Sequence, residues 1–140
     1  MIRRGWSLAL VLAGVVTASG GCLSSPSDVR VPVGREFTLA VGESVAVGDA
    51  GLRVSLRGVR DDSRCPADVT CIWEGDAAVD VGVAGPAPSP AAYELHTSAR
   101  FTRETSHAGY RIALVRLDPT PHSGSAPSPS VYRATLVVLR

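Results

Sequence analysis

Apolar and polar residues alternate with a period of two along most of this chain. That period suits a strand with one buried face and gives an α-helix no apolar stripe. Leu52, Val54 and Leu56 fall on one side of an extended backbone, with Arg53, Ser55 and Arg57 on the other. Ala77, Val79, Val81 and Val83 alternate with Ala78, Asp80 and Gly82 in the same way. Phe37, Leu39 and Val41, then Val45 and Val47, give two shorter runs separated by Gly42-Glu43, a turn signal. Tyr93 and Leu95 mark a short strand, residues 110–117 a long one and residues 131–139 the last. About seven strands broken by segments such as Gly48-Asp49-Ala50-Gly51 predict an all-β domain. The expected architecture is an antiparallel β-sandwich, Ig-like or partly closed into a barrel, with one local disulfide.

The N-terminus has a different pattern. Arg3 and Arg4 precede an apolar stretch at residues 6–18, too short for the roughly 20 residues that span a bilayer. Small residues follow, as in a cleaved export signal. Ser19-Gly20-Gly21-Cys22 resembles the lipobox of bacterial lipoproteins, in which the cysteine becomes the lipidated first residue of the mature chain. Ser19 stands where that pattern usually has an aliphatic residue, and Ala18-Ser19-Gly20 also fits an ordinary cut before Gly21. An ordinary cut would leave an unpaired thiol near an exposed N-terminus, so lipidation of Cys22 is the expectation and secretion the alternative. This divides the chain into a lipoprotein-type signal peptide at 1–21, a tether at 22–30 and a single β domain at 31–140. The domain is placed outside the cytoplasm, anchored to a bacterial membrane through lipid on Cys22.

Leaving out Arg3 and Arg4, twelve Arg face thirteen Asp and Glu, and the chain has no Lys. A near-neutral balance argues against nucleic acid as a partner, because phosphate binding needs a basic surplus. A monomer without a cofactor is expected, with any envelope protein partner unidentified from sequence. Residues 85–90 alternate glycine and alanine or serine with proline, a stiff exposed connection, and residues 118–130 (DPTPHSGSAPSPS) are expected to form a loose loop.

Residues 62–75, DSRCPADVTCIWEG, are the most specific stretch. Five residues separate Cys65 from Cys71, and in an oxidising compartment the simplest state is a disulfide between them. Closing so short a loop contributes about 2 kcal/mol in chain-entropy bookkeeping. Trp73 lies two residues beyond Cys71 and, on an extended chain, on the same side, where it is expected to cover the bridge. The pattern resembles one that recurs in uncharacterised bacterial secreted and lipid-anchored domains. The matching residues are Asp62, Ser63, Arg64, Cys65, Pro66, Val69, Cys71, Trp73 and Gly75, with a Tyr-x-Ile-x-Leu strand at residues 110–114. Glu74 stands where that pattern commonly has a small residue. The resemblance implies a disulfide-stapled β domain at the cell envelope and implies no activity.

Candidate contacts for a ligand or partner are Asp62, Arg64, Trp73 and Glu74. Asp61, Asp62, Asp68, Glu74 and Asp76 form an acidic set, and calcium or another hard cation takes oxygen ligands of this kind. The set lacks the ligand alternation and central glycine of an EF-hand, so metal binding is an alternative to a binding module. A protease-inhibitor-like loop is a second alternative. His96, His107 and His122 have no zinc-site spacing and are expected to face solvent. No Ser, Cys or Lys stands in a nucleophile motif, so no enzymatic activity is expected.

Overall fold

Nine strands carry the alternation into two sheets. They are β1 (Arg30–Val31), β2 (Glu36–Ala40), β3 (Ser44–Val47), β4 (Leu52–Asp62), β5 (Ala77–Ala84), β6 (Ala91–His96), β7 (Glu104–His107), β8 (Tyr110–Asp118) and β9 (Arg133–Leu139). The computed structural model describes residues 29–86 and 90–140. The expected signal segment, Cys22, most of the expected tether and the middle of the 85–90 run lie outside the described residues.

One sheet has the order β1-β3-β4-β5-β6 and the other β2-β9-β8-β7, so the molecule is a sandwich of two open sheets and not a barrel. All ladders are antiparallel except β1 on β3. The seven strands expected from the alternation are present. The two additional ones carry little pattern: β1 is two residues long, and β7 reads Glu-Thr-Ser-His with only His107 buried. The runs around Gly42-Glu43 do not form a hairpin. β2 and β3 belong to different sheets, and residues 41–43 cross between them, with Gly42 N–H donating to Leu56 O at 2.8 Å.

Leu52, Val54, Leu56, Val79, Val81, Val83 and Leu95 from the first sheet form one core with Phe37, Leu39, Ile112, Leu114, Leu136 and Val138 from the second. Each face follows directly from the period-two placement, since successive side chains on a strand point to opposite sides.

The registers also sort the connections by end. β4 and β8 run towards one end, where Arg64 meets Leu117 and Pro119, and β5 and β9 run away from it. The connections β2–β3, β4–β5, β6–β7 and β8–β9 therefore share this end, here called apical. β1–β2, β3–β4, β5–β6 and β7–β8 share the other. Residues 118–130 belong to the apical end, and they are not the loose loop expected from their composition. They contain a bridge between His122 and Ser125 and a 3-10 turn at Pro129–Val131, and they lie against the β4–β5 connection.

Leu56 is fully buried between the sheets. Leu56→Ala is expected to lower the unfolding free energy in urea by about 2–5 kcal/mol, and a loss below about 1 kcal/mol would contradict its place in the core.

Candidate functional site

The β4–β5 connection, residues 63–76, contains the cysteine motif and is built upward from the ends of its two strands. Backbone pairing continues past the ladder: Ser63 N–H donates to Asp76 O at 2.7 Å and Cys65 N–H to Glu74 O at 2.8 Å. Ser63 Oγ donates to the same Asp76 carbonyl at 3.0 Å. Gly75 makes this pairing possible. Its φ is +72°, and a Cβ there would stand 2.0 Å from Ser63 O, so both its conformation and the close approach exclude a side chain. Above this root the Cys65–Cys71 disulfide closes the loop with Cα atoms 5.9 Å apart, and Val69 N–H donates to Pro66 O to make a turn.

Arg64 fixes the root to the opposite sheet. Its guanidinium meets Asp62 with two bonds, Nε to Oδ1 at 2.8 Å and Nη2 to Oδ2 at 2.7 Å. The remaining donors reach the carbonyls of Leu117 at 2.5 Å and Pro119 at 2.7 Å, at the end of β8. Tyr132 Oη, just before β9, donates to Asp62 Oδ2 at 2.9 Å. The Arg64 and Asp62 side chains are 11% and 7% exposed, so the pair is almost wholly withdrawn from water. Burial by itself would raise the Asp62 pKa, but the bonds from Arg64 and Tyr132 outweigh it and hold the carboxyl below its ordinary value. Burial and the neighbouring Asp62 carboxylate push the Tyr132 phenol up to about 12.

The β6–β7 connection supports the other flank. Ser98, itself buried, donates its Oγ proton to Glu74 Oε1 at 2.6 Å. Asp76 Oδ1 accepts from Ser98 N–H at 2.9 Å, and Asp76 Oδ2 lies 2.6 Å from His96 Nδ1. Burial would raise the Asp76 pKa, and these bonds from Ser98 and His96, with Thr97, lower it overall. The geometry is not that of a Ser–His–Asp triad. Ser98 Oγ is directed at Glu74, while His96 Nε2 faces Glu94 Oε1 at 3.4 Å. On the apical surface, Asp68 is bonded by the backbone and hydroxyl of Ser123, and Ala67 N–H donates to Pro121 O at 2.9 Å.

The candidate contact residues thus separate into two groups. Asp62, Arg64 and Glu74 are engaged within the protein and form the root. Trp73 is 44% exposed, and the backbone bends at Ile72 and Trp73, so the extended chain on which its placement over the disulfide was premised is not present. Arg100 stacks on its ring, 5.4 Å from the centroid. Of the acidic set, Asp62, Asp68, Glu74 and Asp76 all have bonding partners in the protein. No three His, Cys, Asp or Glu among the described residues are gathered as a metal ion would need. Two histidines depart from the expectation of solvent exposure. His107 is buried with Nδ1 3.0 Å from Tyr93 Oη, and His96 pairs with Asp76.

Pattern reading missed Ile72, Arg100 and Phe101, which lie in connections where no periodicity marks them. Ile72 is completely exposed, and Val69, Trp73, Phe101 and Val131 are about half exposed. All five occupy apical connections. Only Val29 and Val33 are large exposed apolar residues elsewhere among the described residues, so the apolar surface is concentrated at one end. A cleft of about 670 Å³ lies at the opposite end, lined by Arg30, Asp49, Tyr110 and Arg140. Within it Arg30 is paired to Asp49, and Arg140 lies over the Tyr110 ring.

Compared with known proteins, the chain matches no family model, no curated protein and no solved structure. No helix among the described residues is long and apolar enough to cross a membrane.

Arg64→Met would leave Asp62 buried without its cation. It is expected to lower the unfolding free energy by about 3–5 kcal/mol, measured in urea, whereas a loss within about 0.5 kcal/mol would contradict the clamp. The lowered Asp62 and Asp76 pKa values also set a direction with pH. Their stabilisation is present above the unfolded carboxyl value of about 4 and is lost as pH falls through the lower folded values. Acid titration of the unfolding free energy should show this fall, with a shallower acid limb in Arg64→Met; identical limbs would remove Asp62 from the explanation.

Proposed function

We propose that the protein is a non-enzymatic, lipid-anchored domain of the bacterial cell envelope that binds through its stapled loop. The observation that carries this reading is how the motif residues are used. Asp62, Ser63, Arg64, Cys65, Cys71 and Gly75 each have a role in holding the loop, whereas Ile72 has a relative exposure of 107% and Trp73 is only partly covered. A large apolar side chain held in water on a braced loop adds nothing to the core and favours association. Trp73 and Arg100 belong to residue types enriched at the binding hot spots of protein interfaces.

The anchor supports the envelope location. Lipidation accounts for Cys22, the third cysteine of the sequence beside the bonded pair, and the Cys65–Cys71 bridge suits an oxidising compartment. The resemblance of the 62–75 pattern to secreted and lipid-anchored bacterial domains points the same way. The root makes a hydrolytic role unattractive, since its serines, histidine and carboxylates are committed to one another.

The mass of the intact chain extracted from its own membranes tests the location. A chain beginning at Cys22 and carrying acyl groups, with the bridge adding two hydrogens on reduction, is the expected result. A chain beginning at Gly21 without lipid would overturn the anchor.

A further inference from the structure

The apical apolar cluster and the tether are related by the direction of the first strand. β1 runs parallel to β3, and β3 runs antiparallel to β4. Since β4 ends at the apical loop, the chain from Val29 to Val31 runs away from the apical end. Arg30 pairs with Ala46 and Val45 with Val54, which puts Val29 at the level of Val54. From Val54 to Asp62 the strand rises about 26 Å, somewhat less through its two bulges. Seven residue steps separate Cys22 from Val29, a contour of at most about 25 Å. A lipid on Cys22 therefore keeps the bilayer within reach of the apical end, and the chain enters the domain from that side.

We infer that the apical end docks on the lipid bilayer itself, with Ile72 and Trp73 entering the boundary between headgroups and acyl chains. This rests on the lipid-anchored reading above and names what the stapled loop meets. The chemistry of the end suits that occupant. Val69, Ile72, Trp73, Phe101 and Val131 supply apolar side chains from three neighbouring connections. Tryptophan favours the membrane interface, where one part of the ring is in contact with hydrocarbon and its N–H with water or headgroups. Arg100, stacked over that ring, can extend its guanidinium to a lipid phosphate while its methylenes stay on the apolar side.

Desolvation is the main opposing effect, and the structure reduces it. Asp68, Glu74 and Asp76, the carboxylates nearest the tip, accept hydrogen bonds from Ser123, Ser98 and the Ser98 backbone, so they do not meet the headgroups unpartnered. This end offers five exposed apolar side chains, a number suited to shallow insertion that assists an existing anchor.

Trp73 is the single tryptophan after Cys22 and reports its own surroundings. The chain purified from its membranes would be reconstituted into vesicles of phosphatidylethanolamine and phosphatidylglycerol, with and without bromine on the acyl chains. Docking predicts a blue-shifted Trp73 emission that brominated chains quench at least twofold, and loss of that quenching in Ile72→Asp with an unchanged unfolding midpoint. Trp73 emission equal in the two vesicle types would overturn docking even if the mass shows the lipid, and so would crosslinking from position 72 to another protein in place of lipid. Should the mass show no lipid, the anchor fails separately. Quenching on addition of vesicles would then still support docking, and its absence would overturn it.

Discussion

The buried pair of Arg64 and Asp62 is the constraint on which the apical end depends. A guanidinium with a carboxylate on one side and the carbonyls of Leu117 and Pro119 on the other joins the end of β4 to the end of β8, across the two sheets. Tyr132 closes the carboxylate from the start of β9. Without such saturation a charge pair this far from water would oppose folding, because its desolvation rivals the attraction between the charges. Here both ions are surrounded by partners, and the geometry is specific to arginine, whose planar fork serves the carboxylate and the two carbonyls together. The disulfide acts above this root and restricts a loop that is already tied at its base.

The polar root and the apolar tip belong to one arrangement. Several polar side chains of the loop are bonded inside the protein: Ser63 on Asp76, Glu74 on Ser98, Asp68 on Ser123. Ile72 and part of Trp73 stay exposed on the same loop. A flexible loop would fold such residues back on the domain. The backbone bonds of Ser63, Cys65 and Ala67, with the close approach at Gly75, oppose that collapse.

Much of the sandwich was legible because strand alternation is a local property. Leu52, Val54 and Leu56 declare a buried face without reference to anything distant, and the nearby cysteines declare their own loop. The elements that escaped reading depend on distant partners. β1 and β7 have too few apolar residues to show a period. The separation of β2 from β3 into different sheets follows from their ladders with β9 and β4, and nothing in Gly42-Glu43 distinguishes it from a hairpin turn. Residues 118–130 look loose by composition, yet Arg64, Ala67 and Asp68 fix them by bonds that no local pattern encodes. The candidate site was legible in part for the same reason. Asp62 and Arg64 stand out as charged residues beside a cysteine, but their meeting with Tyr132, seventy residues away, does not. Trp73 was expected to cover the bridge on the premise of an extended chain, and the bend at Ile72 removes that premise.

Amide hydrogen exchange at Cys65 and Ala67, resolved residue by residue in the intact protein, tests most directly whether the loop is braced. Their N–H groups donate to Glu74 O and Pro121 O and lie outside the sandwich ladders. Protection approaching that of the β4 and β5 amides is the predicted result, with exchange governed by opening of the sandwich. Exchange at the rate of a freely solvated loop, while β4 and β5 stay protected, would contradict the account, because the apolar tip would then have no rigid support.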